Sequence, residues 1–344
     1  MQPATVDEHT HLGRWLAPTG DWVASDLAGT LYESWMHPDV RALLDLMDAQ
    51  GVTACVNLDG RWDSELEANL DRYDRAHPGR FLTFCQLDWR LAAEDDGFGE
   101  LLAASLRRSA AAGARGLKVW KTLGLGYRDA AGELLLPDDP RAAVVFATAG
   151  ELGLPVLIHT ADPVAFWDPV EPANERYEML LEHPEWSYAG EGFPSHSRLM
   201  ESFEALVAEH PGTTFIGAHL AGNVEDLDWV GRVLAEHPNL FVDTAARLAE
   251  LAAQPQNTRR LIEDHADRVL FGTDELPLTA DGYESWRRFL GGLGLHEPAL
   301  GAILSGNAER LLKREREESP CRAGLRARWP WSRAADPASA GRAP

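Results

Sequence analysis

The chain has 344 residues, 45% of them apolar, enough for one large α/β barrel or two smaller domains. A formal net charge of −22 argues against a nucleic-acid partner, whose phosphates would be repelled. No apolar run approaches the roughly 18 residues of a membrane span, no basic-then-apolar leader opens the chain, and Cys55, Cys85 and Cys321 form no CxxC pair, so the expectation is a cytoplasmic enzyme away from the membrane, its thiols reduced.

In chain order, eight short apolar or β-branched runs recur at 4–9, 52–58, 81–88, 114–119, 154–159, 213–219, 240–244 and 268–274. The stretches 38–50, 64–77, 98–113, 140–153, 196–210 and 225–237 between them carry one apolar and one charged face at helical period. Alternation of this kind predicts a parallel sheet under helices, and eight units predict a (β/α)8 TIM barrel over residues 1–316. A doubly wound sheet would want a glycine-rich phosphate loop after its first strand, and VDEHTHLG is not one. Two connections are long, 12–36 and 160–195, and both are rich in aromatic residues, as lids or binding walls often are. Residues 317–344 lack any apolar period and read as a disordered tail.

Histidines divide by position. His77, His210 and His237, each before a proline, and His265 close helical stretches just ahead of a strand, at the stability face of the barrel. His37 and His183, also followed by proline, lie in connections and read as caps or surface residues. The opposite pattern marks His9 and His11 in VDEHTHLG, His159 in LPVLIHT, His219 in FIGAHL and Asp274 in LFGTDE. Each stands at the C-terminal end of an apolar run, and strands of one barrel deliver such residues to one mouth. His9 and His11, two apart on a strand, leave the same face. Imidazoles with a carboxylate suit a first-row divalent ion, zinc first, with manganese or iron as alternatives.

The order His-x-His, Lys118 in the fourth run, His159 and His219 in the fifth and sixth, and Asp274 in the eighth resembles the amidohydrolase superfamily. The stretches LPVLIHTADP, FIGAHLAGN and LFGTDE are similar to its amidohydrolase-related branch, which includes aminocarboxymuconate semialdehyde decarboxylase and related acid decarboxylases. The resemblance spans about residues 4–312 and implies a distorted barrel in which His9, His11, His159 and Asp274 hold a metal. It leaves His219 as a ligand of a second ion or a catalytic partner. It leaves Lys118 as a carbamylated bridge between two ions, a substrate-facing group or a salt-bridge residue, with one ion favoured.

A bound divalent ion brings the pKa of water from 15.7 to about 7. The expected roles are then Asp274 as proton acceptor and donor, and His219 as the group that polarises a carbonyl or steadies an oxyanion. Arg247 after the seventh run, and Lys121 and Arg128 after the fourth, are cations that could hold a substrate carboxylate. Hydrolysis of a small-molecule C–N or C–O bond leads. The alternatives are non-oxidative decarboxylation of a small carboxylic acid and a metal-binding barrel without catalysis. A homodimer is the default assembly.

Overall fold

The computed structural model describes residues 3–12 and 40–317. Apart from Leu12 and Glu317, the loop expected at 12–36 and the tail expected at 317–344 lie outside the described residues. Eight parallel strands appear on the eight expected runs: β1 (Thr5–Thr10), β2 (Val52–Asn57), β3 (Phe81–Thr83), β4 (Leu117–Val119), β5 (Val156–Ile158), β6 (Phe215–Gly217), β7 (Leu240–Asp243) and β8 (Val269–Leu270). A helix follows each: α1 (Val40–Ala49), α2 (Asp63–Asn69), α3 (Phe98–Ala112), α4 (Ala143–Leu152), α5 (His196–Glu209), α6 (Leu227–Glu236), α7 (Pro255–Asp264) and α8 (Ala280–Gly292). The terminal helix α9 (Asn307–Glu317) runs four residues past Lys313, where the sequence pattern places its end.

The ladders form two arcs, β1-β2-β3 and β4-β5-β6-β7-β8, and backbone bonds cross both seams. At one seam Lys118 N–H donates to the Cys85 carbonyl (2.7 Å) and Cys85 N–H to that of Gly116 (2.9 Å). At the other, Glu8 N–H donates to Phe271 O and Asp274 N–H to His9 O, both at 2.9 Å. Side chains tighten this second seam, because the Asp7 carboxylate accepts from Thr273 N–H (3.0 Å), Thr273 Oγ1 (2.7 Å) and Tyr283 Oη (2.9 Å). The result is a (β/α)8 barrel whose ring departs from even pairing at two places.

One apolar cluster takes Val6, Val56, Leu82, Leu157, Ile216 and Leu270 from six different strands. Side chains from that many parallel strands meet only inside the ring. Ala308, Leu311 and Leu312 of α9 join the same cluster, so the terminal helix plugs the barrel. His210, His237 and His265 occupy the C-caps of α5, α6 and α7, as their spacing indicates. Burial lowers the pKa of His210 and His265, so both are neutral caps rather than cations on a helix dipole. The 160–195 connection is built on itself: Phe166, Leu180 and Tyr188 pack with Leu199 and Met200 of α5, and Trp167 Nε1 donates to Pro194 O at 2.8 Å.

Candidate metal centre

The end of β1 supplies two imidazoles. The register shifts between Asp7 and Thr10, and His11 follows the last strand residue, yet both rings turn the same way, centroids 5.5 Å apart. Asp274 faces them across the seam. Its Oδ1 lies 3.4 Å from His11 Nε2 and 3.8 Å from His9 Nε2, and its Oδ2 lies 3.9 Å from His219 Nε2. Two local turns aim these groups. Asp274 adopts φ 51°, and after β6 the residues His219, Leu220 and Ala221 adopt φ 57°, 56° and 58°. Left-handed backbone costs a residue with a Cβ about 1–2 kcal/mol, and the His219 turn is held by a 2.7 Å bond from its N–H to Asp243 Oδ1.

The far side of each ring fixes its tautomer. His219 Nδ1 lies 2.9 Å from the Ala245 carbonyl, which can only accept, so Nδ1 carries the proton and Nε2 presents a lone pair. Asp243 Oδ2 and Asp59 Oδ1, each at 2.8 Å, orient His9 Nδ1 and His11 Nδ1 in the same sense. His159 completes the row, its ring centroid 4.4 Å from that of His219. Its Nε2 is buried, and Asp162 Oδ1 stands 3.3 Å away. The Nε2 atoms of His9, His11 and His219 lie 3.4–3.9 Å from the Asp274 carboxylate oxygens. This donor set therefore fits a divalent first-row ion.

Two groups that could hold a metal ion, His9–His11–Asp274 and His9–His219–Asp243, each have their candidate donor atoms within 4.8 Å of one another. His159 stands beside them at the wall. Burial keeps the imidazoles in the neutral form that binds metal: it brings His159 down to about 4 and holds His9 and His219 well below their ordinary value. Burial also pushes Asp243 up to about 7. Lys118, 1% exposed, has its Nζ 3.4 Å from His9 Nε2, and burial lowers its pKa to about 8 against the pull of Asp274 and Asp243.

A cavity of about 260 Å³ opens over the cluster, walled by Trp120, Phe166, Met179 and Trp186. Trp120, Lys121 and Trp186 separate it from an outer chamber of about 490 Å³, which is larger but holds none of the imidazoles. Lys121 lines the inner cavity, but its Nζ is bonded to Asp162 Oδ2, which also accepts from Tyr188 Oη at 2.9 Å. Arg247 lines the cavity and is 9% exposed. Arg128 lies in the wall of the outer chamber.

The sequence reading missed Asp59, Asp162, Asp243, Arg176 and Glu250. For Asp59 and Asp243 the signal was present, since each follows or ends an apolar run as the candidate ligands do. Nothing local marks Arg176 and Glu250, which meet 74 residues apart in sequence.

The sequence profile described as amidohydrolase matches residues 6–314. The chain belongs to the amidohydrolase family. None of the curated proteins matches the sequence of this amidohydrolase. Solved structures with a similar fold include 2,6-dihydroxybenzoate decarboxylase from Rhizobium, at 21% identity and TM-score 0.60 over 92% of this chain and 100% of that one. Dihydroxybenzoic acid decarboxylase from Polaromonas, with bound manganese and 2-nitroresorcinol, is 20% identical with TM-score 0.61 over 93% and 99%. An amidohydrolase from Burkholderia multivorans with bound zinc is 16% identical with TM-score 0.55 over 90% and 99%. At these identities the likeness is one of fold.

Proposed function

We propose that this amidohydrolase is an enzyme that uses one divalent ion, zinc in the first instance, to hydrolyse a C–N or C–O bond of a small molecule. The observation that carries the reading is the place of Asp274. Its carboxylate lies among the Nε2 atoms of His9, His11 and His219, and its side chain retains 18% exposure toward the cavity, so it can both bind an ion and exchange a proton with a substrate. When bound, the ion supplies activation of water and polarisation of the substrate oxygen. Asp274 accepts the proton as the water oxygen bonds to the electrophilic carbon, then returns it to the nitrogen or oxygen that leaves as the old bond breaks. His9 and His11 are ligands with Asp274, and His159 and His219 line the opposite side.

The sequence allows His219 as a ligand or as a group that steadies an oxyanion, and we favour the first. With Nδ1–H committed to the Ala245 carbonyl and burial keeping the ring neutral, Nε2 has no hydrogen to give an oxyanion. It serves as a ligand or proton acceptor. Lys118 is proposed to remain a buried amine beside His9 rather than a bridge between two ions.

Decarboxylation is the second reading, favoured by the dihydroxybenzoate decarboxylases among the similar folds and by the aromatic walls of the cavity. The two are separated by incubating metal-replete protein with panels of lactones, amides and aromatic acids in 18O-labelled water. Hydrolysis places label in the product acid, and Asp274→Asn lowers kcat by about 10²-fold or more. Carbon dioxide release from aromatic acids without hydrolysis of any panel member would replace the first reading with the second.

A further inference from the structure

The inner cavity, about 260 Å³, and the outer chamber, about 490 Å³, share Trp120, Lys121 and Trp186 as a common wall. Small-molecule sites run to about 300–1,000 Å³, so the inner space takes a reacting group and little more. The wall is thin. Trp120 lines both spaces and stacks on His11 with ring centroids 5.0 Å apart, so a single ring stands between a metal-ligand candidate and the outer chamber. Among the described residues, the buried Nε1 of Trp186 has no hydrogen-bond partner. Ring contacts hold this indole, with centroids 4.0 Å from His183 and 6.3 Å from Phe166. Trp167 Nε1, in the same connection, is instead fixed to Pro194 O.

What the outer chamber offers a ligand is ring surface. Trp120, Tyr127, Trp186, Tyr188 and Phe193 line it. The charged groups of its wall are already engaged. Arg90 holds both oxygens of Asp88 at 2.6 Å, and Lys121 is paired with Asp162. Arg128 donates to the Gly132 and Gly192 carbonyls at 2.9 and 3.4 Å, and Glu185 lies 3.2 Å from His183 Nδ1. Phe193 is 39% exposed and meets the Tyr188 ring edge-on at 5.1 Å, which leaves most of its own ring open to a ligand.

We propose that the outer chamber is a second binding subsite, which takes an uncharged aromatic ring carried by the substrate beyond its reacting bond. The substrate passes the wall beside Trp186, its head at Asp274 and its ring against Phe193 one side chain further out. Aromatic rings gain from edge-to-face and offset contacts beyond the area they bury, and five rings around one space supply such contacts. The proposal deepens the hydrolytic reading by naming what the substrate carries, and only the metal-held head rests on that reading.

Indole tests the subsite without the metal, since it has a ring and no metal-binding group. Followed by ligand-observed NMR, it should bind metal-replete and chelator-treated full-length protein alike. Phe193→Ala should weaken it by about tenfold, and Phe193→Tyr, which restores a ring, should not. Position 193 is exposed enough that neither change threatens the fold. Acetohydroxamate and indole-3-acetohydroxamate then test the link between the chambers by calorimetry. The ring should tighten binding to metal-replete protein by about tenfold, and Phe193→Ala should remove that gain while leaving acetohydroxamate unchanged. The proposal is overturned if indole does not bind, or if its affinity survives Phe193→Ala. It fails equally if acetohydroxamate binds and the ring adds nothing. Indole seated at Phe193 with no hydroxamate bound would uphold the subsite and overturn the metal reading instead.

Discussion

At the scale of single residues, each imidazole is defined by its back as much as by its front. Asp59 touches no substrate-facing surface, yet its 2.8 Å bond to His11 Nδ1 selects the tautomer that points a lone pair at Asp274. Removing such a partner typically lowers metal affinity by about 10–100-fold. Asp59→Ala should therefore weaken zinc binding by that factor in a chelator competition assay while the protein melts within a few degrees of wild type. Unchanged affinity would show that His11 is oriented by packing on Trp120 alone, whose ring lies 5.0 Å from it in a stacked arrangement. The ligand candidates were legible in sequence because strand ends and chemistry coincide there. Arg247 was named as well, from its place after the seventh run, but Arg176 and Glu250 were not, because Arg176 sits in a connection with no period to place it and Glu250 in a short helix that looks like any charged surface.

Elements show which helices the barrel needs. Strand positions were legible to within a few residues, since an apolar run buried on both faces leaves little freedom of register. The role of α9 was not, because Ala308, Leu311 and Leu312 form an amphipathic stripe like that of any covering helix, and only the closed ring shows that the stripe enters the barrel. Leu311→Ala should destabilise the fold by about 2–5 kcal/mol, the usual cost of a core cavity, while the folded protein keeps its metal content. A melting temperature equal to wild type would place α9 outside the cooperative unit. The helix caps yield a pH test. Burial lowers the pKa of His210 and His265 in the folded state, so the unfolded chain binds their protons more readily and stability is lost as pH falls through the ordinary histidine value of about 6.5. A His210→Asn, His265→Asn variant should accordingly lose less stability than wild type between pH 7 and 5 in urea titrations. Parallel curves would mean that the two imidazoles titrate alike folded and unfolded.

For the whole molecule, the site and the fold share the β1–β8 seam. The His9 carbonyl accepts from Asp274 N–H, and the Asp7 network ties the same strands immediately below. An ion held by His9, His11 and Asp274 would thus clamp one of the two irregular joins of the ring. Binding to the folded state alone stabilises it by RT ln(1 + [L]/Kd), about 2.7 kcal/mol at a hundredfold excess over Kd, so zinc should raise the melting temperature and a chelator lower it. Among the described residues no helix is long and apolar enough to cross a membrane. The central claim is that these strand-end residues hold one divalent ion, and elemental analysis tests it most directly. Metal-replete wild type should carry about one equivalent per chain, and a His9→Ala, His11→Ala double variant should carry almost none while keeping its helical circular dichroism. Full metal content in that folded double variant would contradict the account.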